Sequence, residues 1–186
     1  MKSGTRTIIP DQCLLRSGQH TSTSGLSLVL ALLTCLLLSA CNTQDSLPEA
    51  VQDLTFKTLT GTELVLAEAT GPLLINFWAT DCVICLREMP DLVELYNDYK
   101  LAGFQMVAVA MPYDPPNRVL EMAEREQWPF PVALDISGEA VNSFTTVKGT
   151  PTSYLLDKDG KLIERYVGAI PFDKLQSQLN KLLGSS

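Results

Sequence analysis

Apolar residues fall in two rhythms along this chain, and the change from one to the other marks out its elements. Leu73, Leu74, Ile75, Phe77 and Trp78 form a near-continuous apolar run, broken by Asn76 and introduced by Gly71-Pro72; such a run predicts a strand buried on both faces. From Cys82 the period changes. Cys85, Leu86, Met89, Leu92, Val93, Tyr96 and Tyr99 recur at spacings of three and four, which predicts a helix over residues 82 to 100 with one stripe against a core. Phe104 to Met111 predicts a second buried strand, Pro112 to Asn117 a loop, and Arg118 to Gln127 a helix. Pro129-Phe130-Pro131 interrupts the pattern before a short strand at Val132 to Leu134 and a short helix at Glu139 to Phe144. After Gly149-Thr150-Pro151, strands at Thr152 to Leu156 and Leu162 to Val167 flank a turn at 158 to 161, and Phe172 to Leu183 closes as an amphipathic helix. Upstream, Leu54 to Leu59 and Glu63 to Leu66 around Thr60-Gly61-Thr62 predict a hairpin. Strand, helix, strand, helix, then a hairpin and a last helix is the order of an α/β domain with a mixed sheet.

The N-terminal third follows neither rhythm. Lys2, Arg6 and Arg16 precede a 13-residue apolar run, Leu26 to Leu38, followed by Leu38-Ser39-Ala40-Cys41. This is the layout of a signal peptide over residues 1 to 40, and the run is shorter than the ~20 residues a membrane span needs. Leu-Ser-Ala-Cys resembles the bacterial lipobox, and by that resemblance Cys41 becomes a lipidated N-terminus while Cys13 and Cys35 are discarded. The alternative is an ordinary cleaved signal with an incidental cysteine. Residues 42 to 53 are polar, contain a proline, and suit a flexible tether able to reach some ~20 Å as a coil. Residues 54 to 186 are left for one domain.

Charge narrows the partners. Losing Lys2, Arg6, Arg16 and Asp11 with the leader takes the net charge from −7 to −9. An acidic surface without a basic stripe argues against nucleic acid and offers little to anionic lipid headgroups. Proteins and small thiols remain as substrates.

The chemistry sits where the two rhythms meet. Cys82 and Cys85, two residues apart, fall in the first turn of the predicted helix, where unpaired N–H groups and the helix dipole favour a thiolate. The thiolate is the species that attacks a disulfide. A purely structural disulfide is the alternative, but a two-residue loop restrains little of the unfolded chain. A zinc site fails on ligand count, because the chain's one histidine, His20, lies in the leader.

NFWAT-x-C-x-x-C-x-x-EMP, a stretch from Met111 to Leu134 ending in FPVALD, and GTPTSYLLDKDGK together resemble the membrane-tethered TlpA/ResA-like disulfide reductases over about residues 50 to 183. The resemblance implies a thioredoxin-like fold: a mixed central sheet flanked by helices, with an N-terminal hairpin and a TlpA-type insertion. It implies that Cys82 is the exposed nucleophile and Cys85 the buried resolving thiol. Pro151 matches the family's cis-proline, against a base-rate expectation of trans, and Thr150 would pair its backbone with an incoming substrate. Glu88 matches an acidic residue that tunes proton transfer near the thiols; an ordinary solvated helix glutamate is the alternative. Trp78, ending the first buried strand, belongs with the residues that shape the site. Asn76 stands where thioredoxin has a buried carboxylate, as is general in this branch. Asp81 departs from the pattern, since the family usually has tryptophan there, and its charge opposes the Cys82 thiolate.

These features predict a thiol-disulfide oxidoreductase of the cell envelope, anchored through Cys41, needing no metal and no cofactor beyond the Cys82–Cys85 disulfide. The expected partners are substrate proteins with cysteines or disulfides, a membrane thiol electron donor, and the lipid bilayer. Reduction of substrate proteins is the expected direction. A thiol oxidase on the same scaffold is the alternative, because direction is set by reduction potential; a binding module with weak turnover is another, resting on Asp81. Peroxidase and copper-delivery readings lack their signatures, a Pro-x-x-x-Thr-x-x-Cys setting in one case and a histidine with wider cysteine spacing in the other.

Overall fold

The computed structural model describes Val51, residues 53 to 144 and residues 147 to 184. Elements run in the order β1 (Thr55–Lys57), β2 (Glu63–Val65), β3 (Leu73–Trp78), α1 (Val83–Tyr99), β4 (Gln105–Ala110), α2 (Pro116–Glu126), β5 (Val132–Leu134), α3 (Glu139–Ser143), β6 (Thr152–Leu156), β7 (Leu162–Val167) and α4 (Phe172–Gly184). β1 and β2 form a separate antiparallel hairpin, and the other five strands make one sheet in the order β5-β4-β3-β6-β7. β3 pairs in parallel with β4 and antiparallel with β6, so the sheet is mixed as its element order predicts.

β3 is the central strand and every residue in it is buried. Its side chains alternate between two cores. Leu74 and Trp78 face a layer with Cys85, Met89, Leu92 and Leu95 of α1 and Leu175 and Leu179 of α4. Leu73, Ile75 and Phe77 face the other layer, with Phe56 of the hairpin and Ala140 and Phe144 near α3. A continuous apolar strand is the sequence consequence of two covered faces, and each buried Leu, Ile or Phe contributes roughly 1.5–3 kcal/mol. Val51, inside the stretch read as tether, is also fully buried against this second core.

The ends of α2 differ from those predicted, for local reasons. α2 starts at Pro116 rather than Arg118, because a proline in the first turn loses no hydrogen bond it could have made. Its last helical residue is Glu126, because Gln127 takes a left-handed φ of 51°. Gly71, before β3, is required by close approach: a Cβ there would sit 2.1 Å from the Gly103 carbonyl oxygen.

A dithiol at a helix terminus

β3 delivers the chain to the carboxyl end of the sheet, and a four-residue turn then starts α1. The Trp78 carbonyl accepts the Met111 N–H (3.0 Å) and the Ala79 carbonyl accepts the Cys82 N–H (3.1 Å). Cys82 is the N-cap of α1, extended at φ −84° and ψ 98°. Its Sγ accepts the Cys85 N–H at 3.2 Å, the role a serine or aspartate oxygen plays in other helices. Cys82 and Cys85 are joined as a disulfide with Cα atoms 5.2 Å apart. Their exposure differs. Cys82 is half-buried, whereas Cys85, facing the core, is 1% exposed. Val83 and Ile84 between them are exposed.

The Thr150–Pro151 bond is cis. β6 begins at Thr152, which pairs with Phe77, so this segment lies at the same end of the sheet as the dithiol turn. It is tied down from two directions: the Thr152 hydroxyl donates to the Gly149 carbonyl (2.7 Å) and the Gly168 N–H to the Pro151 carbonyl (2.9 Å). Thr150 itself is half-buried.

Glu88 is not a solvated helix residue. It is 5% exposed, and neither carboxylate oxygen has a hydrogen-bond partner of normal geometry. Burial pushes its pKa up to about 7, the Ile170 backbone N–H pulls the other way, and the Asp91 charge adds to the rise. Other buried polar atoms lie on the α1-facing side of the sheet. Asn76 donates from Nδ2 to the Ser153 hydroxyl across β3 and β6 (2.8 Å), while its Oδ1 and the Trp78 Nε1 have no hydrogen-bond partner among the described residues. Trp78 is fully buried and packs edge-on against Trp128, with ring centroids 5.1 Å apart. Asp81 is exposed one residue before the N-cap. Cys41 lies outside the described residues.

One site residue escaped the sequence reading. Asp114, in the loop after β4, is 5% exposed, and its two oxygens accept the Thr80 N–H and the Thr80 hydroxyl, each at 2.6 Å. Only the run of prolines around it, Pro112, Pro115 and Pro116, hinted at a shaped loop.

The family model for Redoxin matches residues 43–183. The thiol-disulfide oxidoreductase ResA of Bacillus thuringiensis subsp. konkukian is 34% identical over 125 residues, 67% of this chain and 71% of that protein. ResA of Geobacillus kaustophilus is 32% identical over 131 residues, covering 70% and 74% respectively. Among solved structures, a Chlorobium tepidum protein assigned as a thiol:disulfide interchange protein DsbE is 31% identical with a TM-score of 0.65, covering 78% of this chain and all of that one. With a cysteine pair capping the helix after a buried strand and a cis-proline at the same sheet end, this chain belongs to the Redoxin family, in its thioredoxin-fold, ResA-like branch.

Proposed function

We propose that this protein is a thiol-disulfide oxidoreductase that reduces disulfides in substrate proteins, with Cys82 attacking and Cys85 resolving. The observation that carries the reading is the unequal exposure of two bonded sulfurs at one helix terminus. In the reduced protein the Cys82 thiolate attacks one sulfur of a substrate disulfide, forms a mixed disulfide and expels the other substrate sulfur as a thiolate. Cys85 then gives up its proton and attacks Cys82 Sγ. This closes the Cys82–Cys85 bond and releases the second substrate sulfur, so two electrons pass from the protein dithiol to the substrate. Cys85 is buried, and its proton needs an acceptor within the fold. Glu88, three residues on and held at about 7, is suited to exchange a proton near neutral pH.

Pro151 and Thr150 support a docking role, since the bonds that hold this segment leave it at the sheet end where an extended substrate would arrive. The dithiol serves as the redox centre without a metal or organic cofactor, and a membrane thiol donor would re-reduce it. The leader and Leu-Ser-Ala-Cys support an envelope location with the bilayer reached through acylated Cys41.

Two measurements test this. Equilibration against glutathione is expected to give a potential nearer the reducing value of about −270 mV than the oxidising value of about −120 mV; a value at the oxidising end assigns the protein as a thiol oxidase. Cys85→Ser is expected to accumulate mixed disulfides with partner proteins through Cys82, while Cys82→Ser accumulates none. Equal trapping by both variants would contradict the assigned order of attack.

A further inference from the structure

We propose that Asp114 is a positioning residue of this site, its carboxylate clamping the turn that presents Cys82. The inference rests on Cys82 being the attacking thiol. Thr80 is the middle of the turn, two residues before Cys82, so its Cα lies no more than about 7 Å from that of Cys82. Both of its donors are taken by Asp114: the N–H by one carboxylate oxygen and the hydroxyl by the other, each at 2.6 Å. Among the described residues these are the hydrogen bonds that carboxylate accepts, and no cation pairs with it. Bonds to a buried carboxylate are the strong kind.

Asp114 is itself held still. Its N–H donates to the Met111 carbonyl (3.0 Å), and Pro115 follows with its carbonyl accepting the Arg118 and Val119 N–H groups (2.9 and 3.2 Å) at the start of α2. The β3–α1 turn is thereby fastened to the β4–α2 loop, thirty-four residues away in sequence.

The clamp has two consequences for Cys82. The turn that carries its sulfur is held in place at Thr80, and the carboxylate bonded to that turn has no ion-pair partner among the described residues. That charge works against the thiolate, in opposition to the helix terminus. Asp81, the residue between Thr80 and Cys82, acts in the same direction, but it is exposed and therefore open to screening by salt, whereas Asp114 is buried and screened much less. Glu88, three residues after Cys85 in α1, is a further buried acidic group on the helix that carries the dithiol.

The test uses the full chain and reads the pKa of Cys82 from its rate of alkylation by iodoacetamide against pH, beside the rate at which the reduced protein opens a protein disulfide. Asp114→Asn removes the charge while keeping the clamp, since Oδ1 can accept the Thr80 N–H and Nδ2 can donate to the Thr80 hydroxyl oxygen. The Cys82 pKa is expected to fall by roughly half a unit to one and a half units, with alkylation below the pKa faster by about three- to thirty-fold, and the shift is expected to persist at 1 M salt, where the Debye length is about 3 Å. Thr80→Val removes one donor and is expected to slow disulfide opening severalfold; it stands in if the Asn variant does not fold. A folded Asp114→Asn protein with the wild-type Cys82 pKa, or a Thr80→Val protein that opens disulfides at the wild-type rate, overturns the proposal. Wild-type protein that opens no disulfide would instead overturn the function proposed above, and the alkylation measurement would still decide on Asp114.

Discussion

Glu88 couples the site to stability through its burial. Its pKa rises from 4.5 to about 7 on folding because the carboxylate leaves water without gaining a full hydrogen bond. The folded state therefore holds the proton more tightly than the unfolded chain, and the sign follows: the favourable term is fully present below pH 4.5 and is lost as pH rises through about 7. At about 1.4 kcal/mol per unit, the loss across that window is of the order of 3 kcal/mol. Glu88→Gln cannot ionise. Relative to wild type it is expected to gain up to about 3 kcal/mol at pH 8 and little at pH 4, read from denaturant unfolding at the two values. The same variant is expected to slow resolution of the mixed disulfide and to remove an ionisation near neutrality from its pH–rate profile. A variant less stable than wild type at pH 8 would show that the carboxylate is satisfied within the fold.

At the scale of the element, α1 holds two opposed influences at its N-terminus. The free N–H groups and the dipole favour a Cys82 thiolate, by about 0.3–1 kcal/mol for an exposed terminus, and the Cys85 N–H already points at its sulfur. Asp81, one residue before the cap, opposes them. Asp81→Asn is expected to lower the Cys82 pKa by roughly half a unit at low ionic strength, and by less as salt is added. A thiolate stabilised in the reduced protein makes the couple more oxidising, so the potential is expected to rise, by about 30 mV for each 1.4 kcal/mol gained. Titrating both proteins with iodoacetamide at 0.01 M and 1 M salt checks this; an unchanged or raised pKa in the variant would remove Asp81 from the tuning of the site.

The whole molecule is arranged to expose one edge. Helices and the β1–β2 hairpin cover both faces of the sheet, which leaves the carboxyl ends of β3, β4, β5 and β7, with the segment before β6, as the place where reactive groups reach solvent. The chain carries a net charge of −7, which becomes −9 under the proposed loss of residues 1 to 40 with Lys2, Arg6, Arg16 and Asp11. Such a charge offers little to anionic headgroups, so the proposed membrane position would rest on a covalent anchor. Mass spectrometry of membrane-extracted protein is expected to find a mature N-terminus at acylated Cys41, and Cys41→Ala is expected to yield unprocessed or mislocalised precursor. An unmodified N-terminus elsewhere would exclude the lipoprotein reading.

What the sequence determined by itself was everything written in local period and spacing. The seven strands and four α-helices of the described residues follow from runs of alternating or continuous apolar residues, because burial on one face or two imposes its own periodicity on the chain. Cys82 and Cys85 were legible for the same reason: two residues between cysteines, after a buried strand, place them at the start of a helix, where Cys82 is the N-cap and Cys85 lies in the first turn. Only tertiary structure decided the rest. The glutamate of Cys-x-x-Cys-x-x-Glu could have been solvated; packing of α1 against the chain around Ile170 buries it and moves its proton affinity. Asn76 meets Ser153 because β3 and β6 pair in one antiparallel register across seventy-seven residues. Asp114 reads as an ordinary loop aspartate until β4 lies beside β3 and carries its loop to Thr80. Contacts of this kind depend on which distant segments share a sheet end. A periodicity has no means of recording that, because it reports how much of a residue is buried and not what it is buried against.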